Sequence, residues 1–325
     1  MQANSNPTVS VVVPVYNGEQ TIQETIESIL HQTFSDFEIL VINDGSNDST
    51  LDILSKIQQP KLKVFSYPNA GLSASRNRGV RQAKGDYISF IDADDLWTED
   101  KLEKQLKALQ ENPNASVAYS WTNWIDGKGN FLRSGGYIHA EGDVFLDLLK
   151  RDFVESGSNV LVKTKAILEV GDFDESLNAV EDWDMWLRLA ERYSFVCVPL
   201  PQILYRVSST SMSADVWKME KASFRAIEKA CQNTSRKITK DLKAQIFGER
   251  YRYLTIKALD GYPDRKKGLT ALNFLVKAIR YDASWLKRTK LMAILVLKIA
   301  ISTLLPFSSS KETLKLFKRM TGKIA

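Results

Sequence analysis

Two kinds of pattern alternate over the first hundred residues. Short runs that are apolar throughout are separated by longer stretches that are apolar at every third or fourth position. "VSVVVPVYN" from Val9, "FEILVIND" from Phe37 and "DYISFID" from Asp86 belong to the first kind, with "KLKVFSY" as a weaker member. Continuous apolar runs of this length predict strands covered on both faces. "EQTIQETIESIL" puts Ile22, Ile26 and Ile29 on one helical face. "DSTLDILSKI" predicts a second helix with Asp48 or Ser49 as N-cap, and "LSASRNRGVRQA" a third. The alternation predicts an α/β fold: a mostly parallel sheet flanked by helices.

The middle, 115–207, reads as mixed. A hairpin is expected around Gly127-Lys128-Gly129, a strand then a helix in "GSNVLVKTKAILEV", a helix in "EDWDMWLRLAERY" and two short strands in "FVCVPLPQILYRV". From Asp215 the pattern is helical. "SSTSMSADVW" at 208–217 is the expected linker, which divides the chain into 1–213 and an α-helical region 214–325. Residues 291–307, "LMAILVLKIAISTLLPF", are strongly apolar but short of the roughly 20 residues a spanning helix needs. Lys287, Arg288 and Lys290 precede this run, and Lys311, Lys315, Lys318 and Arg319 follow it. Two readings stay open for it: a helix lying in a membrane interface, or a helix packed in a bundle.

Charge sharpens the division. Residues 1–214 hold 19 Lys+Arg and 30 Asp+Glu, a net of −11; residues 215–325 hold 25 and 9, a net of +16, for +5 overall. The acidic front suits a cation, and the basic rear suits either an anionic surface, such as lipid head groups or nucleic acid, or a solvated helical face. Only two cysteines, Cys197 and Cys231, occur in 325 residues, so no disulfide scaffold is expected and a reducing compartment is. "MQANSNPTVS" carries no signal-peptide pattern, which points to the cytoplasm, with peripheral contact at the cytoplasmic face of a membrane.

In open α/β sheets, ligands sit outside the carboxyl ends of the strands. Those ends here are Tyr16-Asn17-Gly18, Asn43-Asp44-Gly45-Ser46 and Asp92-Ala93-Asp94-Asp95. An Asp-x-Asp at such an end is a hard oxygen site suited to Mg²⁺ or Mn²⁺ shared with a substrate diphosphate. Asp95 is expected to cap the next helix or support the loop. Glu181 and Asp182 open an amphipathic helix and read equally as dipole-stabilising first-turn acids or as a general base. No Gly-x-Gly-x-x-Gly follows the first strand and no Walker A is present. With His31 and His139 as the only histidines, Ser-His-Asp chemistry and a zinc site have little to work with. No aromatic-basic platform for nucleic acid is seen.

The motifs "VSVVVPVYNGEQTIQETIESIL", "VINDGSNDST", "NAGLSASRNRGVRQAKGDYISFIDADD", "GDFDESLNAVEDWDMWLRLA" and "YRVSSTSMS", in this order over residues 8–213, resemble family 2 glycosyltransferases. The resemblance implies a GT-A, Rossmann-like fold in which 1–213 binds and turns over a nucleotide sugar. It implies nucleotide contacts from Pro14, Tyr16, Asn17, Asp44, Asn69, Gly71, Arg76, Asn77 and Asp92, a divalent metal (Mn²⁺ or Mg²⁺) at Asp94, and Asp182 as catalytic base. Glu181, Arg206 and Ser208 are further candidates. The implied reaction is inverting transfer of a single sugar, from a UDP-sugar by default, to a hydroxyl of a glycan or lipid-linked acceptor in cell-surface polysaccharide assembly.

One position departs from the pattern. Tyr205-Arg206-Val207-Ser208 stands where many relatives read Tyr-Arg-x-His, which puts a weaker metal or diphosphate ligand at Ser208. The Gln-x-x-Arg-Trp signature of processive synthases is absent, favouring single addition. A polyprenyl-phosphate sugar synthase and a non-catalytic nucleotide-sugar-binding module are the competing readings.

Overall fold

The computed structural model describes residues 6–207, 215–261 and 263–305. These form two compact units, one reaching through Leu148 and resuming from Asp152, the other made of Leu149–Arg151 and the chain from Asp215 onward.

In the first unit, strands β1 (Val9–Val15) and β2 (Phe37–Asn43) are buried at every position, as continuous apolar runs require when both faces are covered. They alternate with α1 (Ile22–Leu30), α2 (Thr50–Ser55), β3 (Leu62–Ser66), α3 (Leu72–Gln82) and β4 (Tyr87–Phe90). Ile22, Ile26 and Ile29 form the buried side of α1. Ser49 precedes α2, but the Asp48 carboxylate accepts from Thr50 N–H at 3.0 Å. Helix α3 comes close to β1 through Gly79, where a Cβ would stand 3.0 Å from Val12 Cγ2 and nearer still to Cγ1. Pro14 sits inside β1. Its β4-side neighbour has already ended at the Val12–Phe90 pair, so its missing N–H breaks no ladder bond.

The sheet continues with β5 (Leu96–Trp97), β6 (Ala115–Ile125), β7 (Phe131–Ser134), β8 (Leu161–Lys163) and β9 (Ser194–Arg206), interleaved with α4 (Lys101–Glu111), α5 (Phe145–Lys150), α6 (Thr164–Val170) and α7 (Glu181–Arg192). The strand order is β3-β2-β1-β4-β8-β6-β9-β5, with β7 hairpinned onto β6. Strands β1 to β4 pair in parallel. Strand β8 runs against both β4 and β6, so the sheet is mixed beyond β4.

"FVCVPLPQILYRV" forms one strand, not the expected two. β9 runs through Pro199 and Pro201 and absorbs them by shifting register against β6 near Ser120–Thr122. The two-residue β5 pairs with β9 only at Ile203 and Leu204, which leaves the prolines on an open edge where their missing donors are tolerated.

The second unit contains α8 (Val216–Asn233), α9 (Lys240–Ala258), α10 (Arg265–Tyr281), a 3-10 turn at Ala283–Lys287 and α11 (Thr289–Leu304). Several of its few acids are N-caps: Asp215, Asp264 and Asp282 each accept from first-turn N–H groups. The core joins Ile246, Leu254, Phe274, Ala278 and Trp285. α11 packs against α10 and buries Ile294, Leu295, Ile299 and Ile301 on one side. No helix among the described residues is long and apolar enough to cross a membrane.

Candidate active site

The carboxyl ends of β1, β2 and β4 meet at one edge of the sheet, as parallel pairing of these strands dictates. After β1, Tyr16 and Asn17 are exposed, and Asn17 holds a left-handed backbone (φ 53°). Its N–H donates to Ser46 Oγ at 2.9 Å and its side-chain oxygen accepts from Asn47 N–H at 2.9 Å, tying the first loop to the second. After β2, Asp44 is buried. Its carboxylate accepts from Ala70 N–H, Gly71 N–H and Arg78 Nη1 at 2.8–2.9 Å. Asn69 Nδ2 donates to the Asp44 carbonyl at 2.9 Å. Asp44 thereby pins the 69–71 segment over the sheet edge.

Arg76 is 1% exposed and bridges two acids: Nη2 to Asp92 Oδ1 and Nη1 to Glu181 Oε1, both at 2.7 Å. One guanidinium thus joins the end of β4 to the first turn of α7. Burial works against the Arg76 charge, but Asp92, Glu181 and Asp182 outweigh it and hold the group protonated. Burial raises the Glu181 carboxyl to about 7, opposed by Arg76 and reinforced by Asp182. Asp182, half-buried beside it, is also raised by burial, against the pull of Arg76 and the N–H of Trp183. Asn77 is equally buried but turns elsewhere: its amide exchanges hydrogen bonds with the Phe173 backbone and reaches Glu175 at 3.0 Å.

The acidic loop is braced from below. Thr25 Oγ1 donates to the carbonyls of Ala93 and Asp95. Asp95 is fully buried and caps no helix; it supports the loop. Its carboxylate accepts from Ser158 Oγ at 2.6 Å and from Arg206 N–H at 3.0 Å, and Ser158 Oγ in turn accepts from Asp92 N–H. Arg206 clamps the loop further, donating from Nε to the Asp94 carbonyl and from Nη2 to Glu24. Ser208 lies outside the described residues.

Asp94 is different. No other residue among those described donates a hydrogen bond to its carboxylate. Burial, then repulsion from Asp92, raises it to about 6, with Arg206 opposing. Arg206 acts on this carboxylate only through space, without a hydrogen bond to it, and the carboxylate's hard oxygens fit a divalent cation. No cluster of three or more His, Cys, Asp or Glu suited to a metal occurs among the described residues. A metal here would therefore rest on Asp94 and complete its shell with ligand oxygens and water.

Sequence reasoning missed Arg78, Ser158, Glu24 and Gly157, which lies against the Arg76 guanidinium. Ser158 had a signal: "SGSNV" opens a strand that runs antiparallel to β4, so its start falls at the carboxyl edge. Arg78 follows Arg76 and Asn77 on the same helix. Glu24 gave no signal, because its partner is 182 residues away.

Residues 10–251 match the profile of a family described as "Glycosyltransferase like family 2". The chain is 35% identical over 210 residues to an uncharacterized glycosyltransferase of Methanocaldococcus jannaschii, covering 62% of this chain and 71% of that one. It is 30% identical over 235 residues to the putative teichuronic acid biosynthesis glycosyltransferase TuaG of Bacillus subtilis, covering 70% and 90%. Some relatives are longer: the match spans only 31% of an uncharacterized glycosyltransferase of Rickettsia felis, at 35% identity over 57% of this chain. Among solved structures, S. aureus TarS 1-349 superposes with a TM-score of 0.63 at 19% identity, covering 95% of this chain and 91% of that one. The mannosyltransferase PcManGT of Pyrobaculum calidifontis, solved with GDP-Man and Mn²⁺, gives 0.57 at 18%, covering 93% and 88%. These likenesses fix the fold as GT-A.

Proposed function

The chain belongs to the glycosyltransferase like family 2, and from that premise we propose that it transfers a single sugar, with inversion, from a nucleoside-diphosphate sugar to a hydroxyl of a glycan or lipid-linked acceptor. The observation that carries the reading is the Arg76 bridge, which joins the Asp-x-Asp strand end to the helix that begins with Glu181 and Asp182. Donor and base then lie on two sides of one buried cation.

In this reading Asp182 accepts the proton of the acceptor hydroxyl as its oxygen attacks C1 of the donor sugar. The C1–O bond to the diphosphate breaks, and the nucleoside diphosphate leaves with the electron pair. The raised Asp182 carboxyl suits that task, because a base nearer neutrality takes a hydroxyl proton more readily. Tyr16, Asn17, Asp44, Asn69 and Gly71 form the nucleotide side, Pro14 shapes its floor, and Asp92 faces the ribose. Arg76 and Asn77 act by position, since both terminal nitrogens of Arg76 and the Asn77 amide are engaged within the protein. Asp94 would hold Mn²⁺ or Mg²⁺, which supplies charge neutralisation for the diphosphate when bound. Glu181 holds Arg76, and Arg206 holds the loop from beneath.

UDP is the favoured nucleotide: S. aureus TarS 1-349 has been solved with UDP and with UDP-GlcNAc, whereas PcManGT was solved with GDP-Man. The kinship with TuaG supports a place in cell-surface polysaccharide assembly. A phosphate acceptor, as in a polyprenyl-phosphate sugar synthase, needs no strong base. The reading is tested by calorimetric titration of UDP, GDP and dTDP with and without Mn²⁺. Metal-dependent binding of one nucleotide that is lost in Asp94→Ala is the expected result. Metal-independent binding with no turnover of any donor would leave a nucleotide-sugar-binding module instead.

A further inference from the structure

The outer faces of α10 and α11 carry a pattern the transfer reaction does not use. On α10, Leu269, Leu272 and Val276 are exposed at the spacing of a single helical stripe. On α11, Val296, Leu297 and Leu304 are exposed, Leu304 to 77%, with the partly buried Lys298 as the one charged residue among them. The two helices are direct neighbours: Gly268 in α10 approaches Thr303 in α11, where a Cβ would lie 3.1 Å from Thr303 N. A groove of about 480 Å³ opens beside Leu269, walled by exposed Trp217 and rimmed by Arg265 and Lys266. Exposed Arg280, Lys287 and Lys290 continue the positive charge. Over residues 263–305 there are nine Lys+Arg and two Asp+Glu, and both acids are spent as helix caps.

We propose that this α10–α11 face is a docking surface for a membrane rich in anionic lipid. Exposed apolar stripes of this extent on a water-soluble helical unit signal a partner. Charge selects which one. A second copy would bring the same basic rim and repel. The tail 306–325 holds five Lys+Arg and one Glu, so it too carries the wrong sign. An anionic head-group layer has the opposite charge, takes apolar side chains below it and receives a tryptophan at its boundary. The surface belongs to the second unit alone and does not depend on the transfer chemistry.

The test is sedimentation of the full chain with phosphatidylcholine vesicles, with and without about 30% phosphatidylglycerol, at low and high salt. Binding to anionic vesicles is expected, weakened by salt and lowered about tenfold or more by Arg265→Glu/Lys266→Glu and by Leu272→Asn/Val296→Asn. Thermal melts of both double variants establish that the helices remain folded. For the basic pair, wild-type salt competition reads the same interaction without any substitution. No binding to anionic vesicles overturns the proposal. So does a concentration-dependent dimer dispersed by Leu272→Asn/Val296→Asn, which would make the occupant a second copy. Vesicle binding untouched by either pair, in folded variants, would move the membrane contact elsewhere and likewise overturns it.

Discussion

Gly157 lies against the guanidinium of Arg76: a Cβ at 157 would stand 3.0 Å from Arg76 Cζ and nearer still to Nη2. The glycine leaves the room that lets Arg76 reach Asp92 and Glu181 together. Gly157→Ala is expected to displace the guanidinium, cost about 1–3 kcal/mol of stability and reduce transfer. Thermal unfolding paired with an activity assay checks it; unchanged activity would mean the Arg76 bridge does not position the site.

Asp182→Asn keeps the side chain's shape and removes its basicity. Transfer to a hydroxyl acceptor is expected to fall by about 10²–10⁴-fold in kcat, with nucleotide affinity unchanged. Retained activity would favour a phosphate acceptor, whose oxygen needs no base.

Glu181 gives a pH signature. Its carboxyl stands near 7 in the folded protein, above its ordinary 4.5, so the folded state binds the extra proton between those values. Its contribution to stability is complete below about pH 4.5 and is lost as pH rises through about 7. Glu181→Gln should therefore flatten the fall in stability from pH 5 to pH 8, by an amount on the order of 1–3 kcal/mol. Denaturant unfolding of both proteins across that range provides the comparison; parallel curves would show that the group is ionised throughout.

Lys101 is fully buried at the start of α4, with Nζ 3.9 Å above the Trp97 ring and bonded to Ser89 Oγ and the Val160 carbonyl. Burial pushes its ammonium well below the usual lysine range. A lowered lysine pKa makes folding release a proton, so stability drops as pH falls below the unfolded value. Lys101→Met is expected to raise neutral-pH stability by about 1–2 kcal/mol, since Ser89 Oγ keeps its own bond to Val160. A melt series from pH 6 to pH 10 measures it; a destabilised variant would show that the lysine's hydrogen bonds outweigh its desolvation.

The strand ends were legible because each follows a buried run, and an acid after such a run can only fall at the sheet's carboxyl edge. Asp44, Asp92 and Asp94 were found that way. The partners that hold them were not. Arg76 meets Glu181 across 105 residues of sequence, and no local pattern encodes such a meeting. Between the two roles open to Asp95, capping the next helix or supporting the loop, the sequence does not choose; the structure takes the second, burying it under two serines and a backbone N–H from β9. The prolines of β9 argued for a break by their local effect, while the open edge that tolerates them is a property of the whole sheet.

Among the described residues, the bonds that hold the acidic loop span the longest stretches of sequence. Arg206 reaches back 182 residues to Glu24, and 111 and 112 to Asp95 and Asp94. During synthesis, the loops after β1 and β2 are made long before Arg206 leaves the ribosome. A nascent chain therefore has those loops well before the residue that clamps the acidic loop. Contacts of this sequence separation are the kind that slow the folding of a domain.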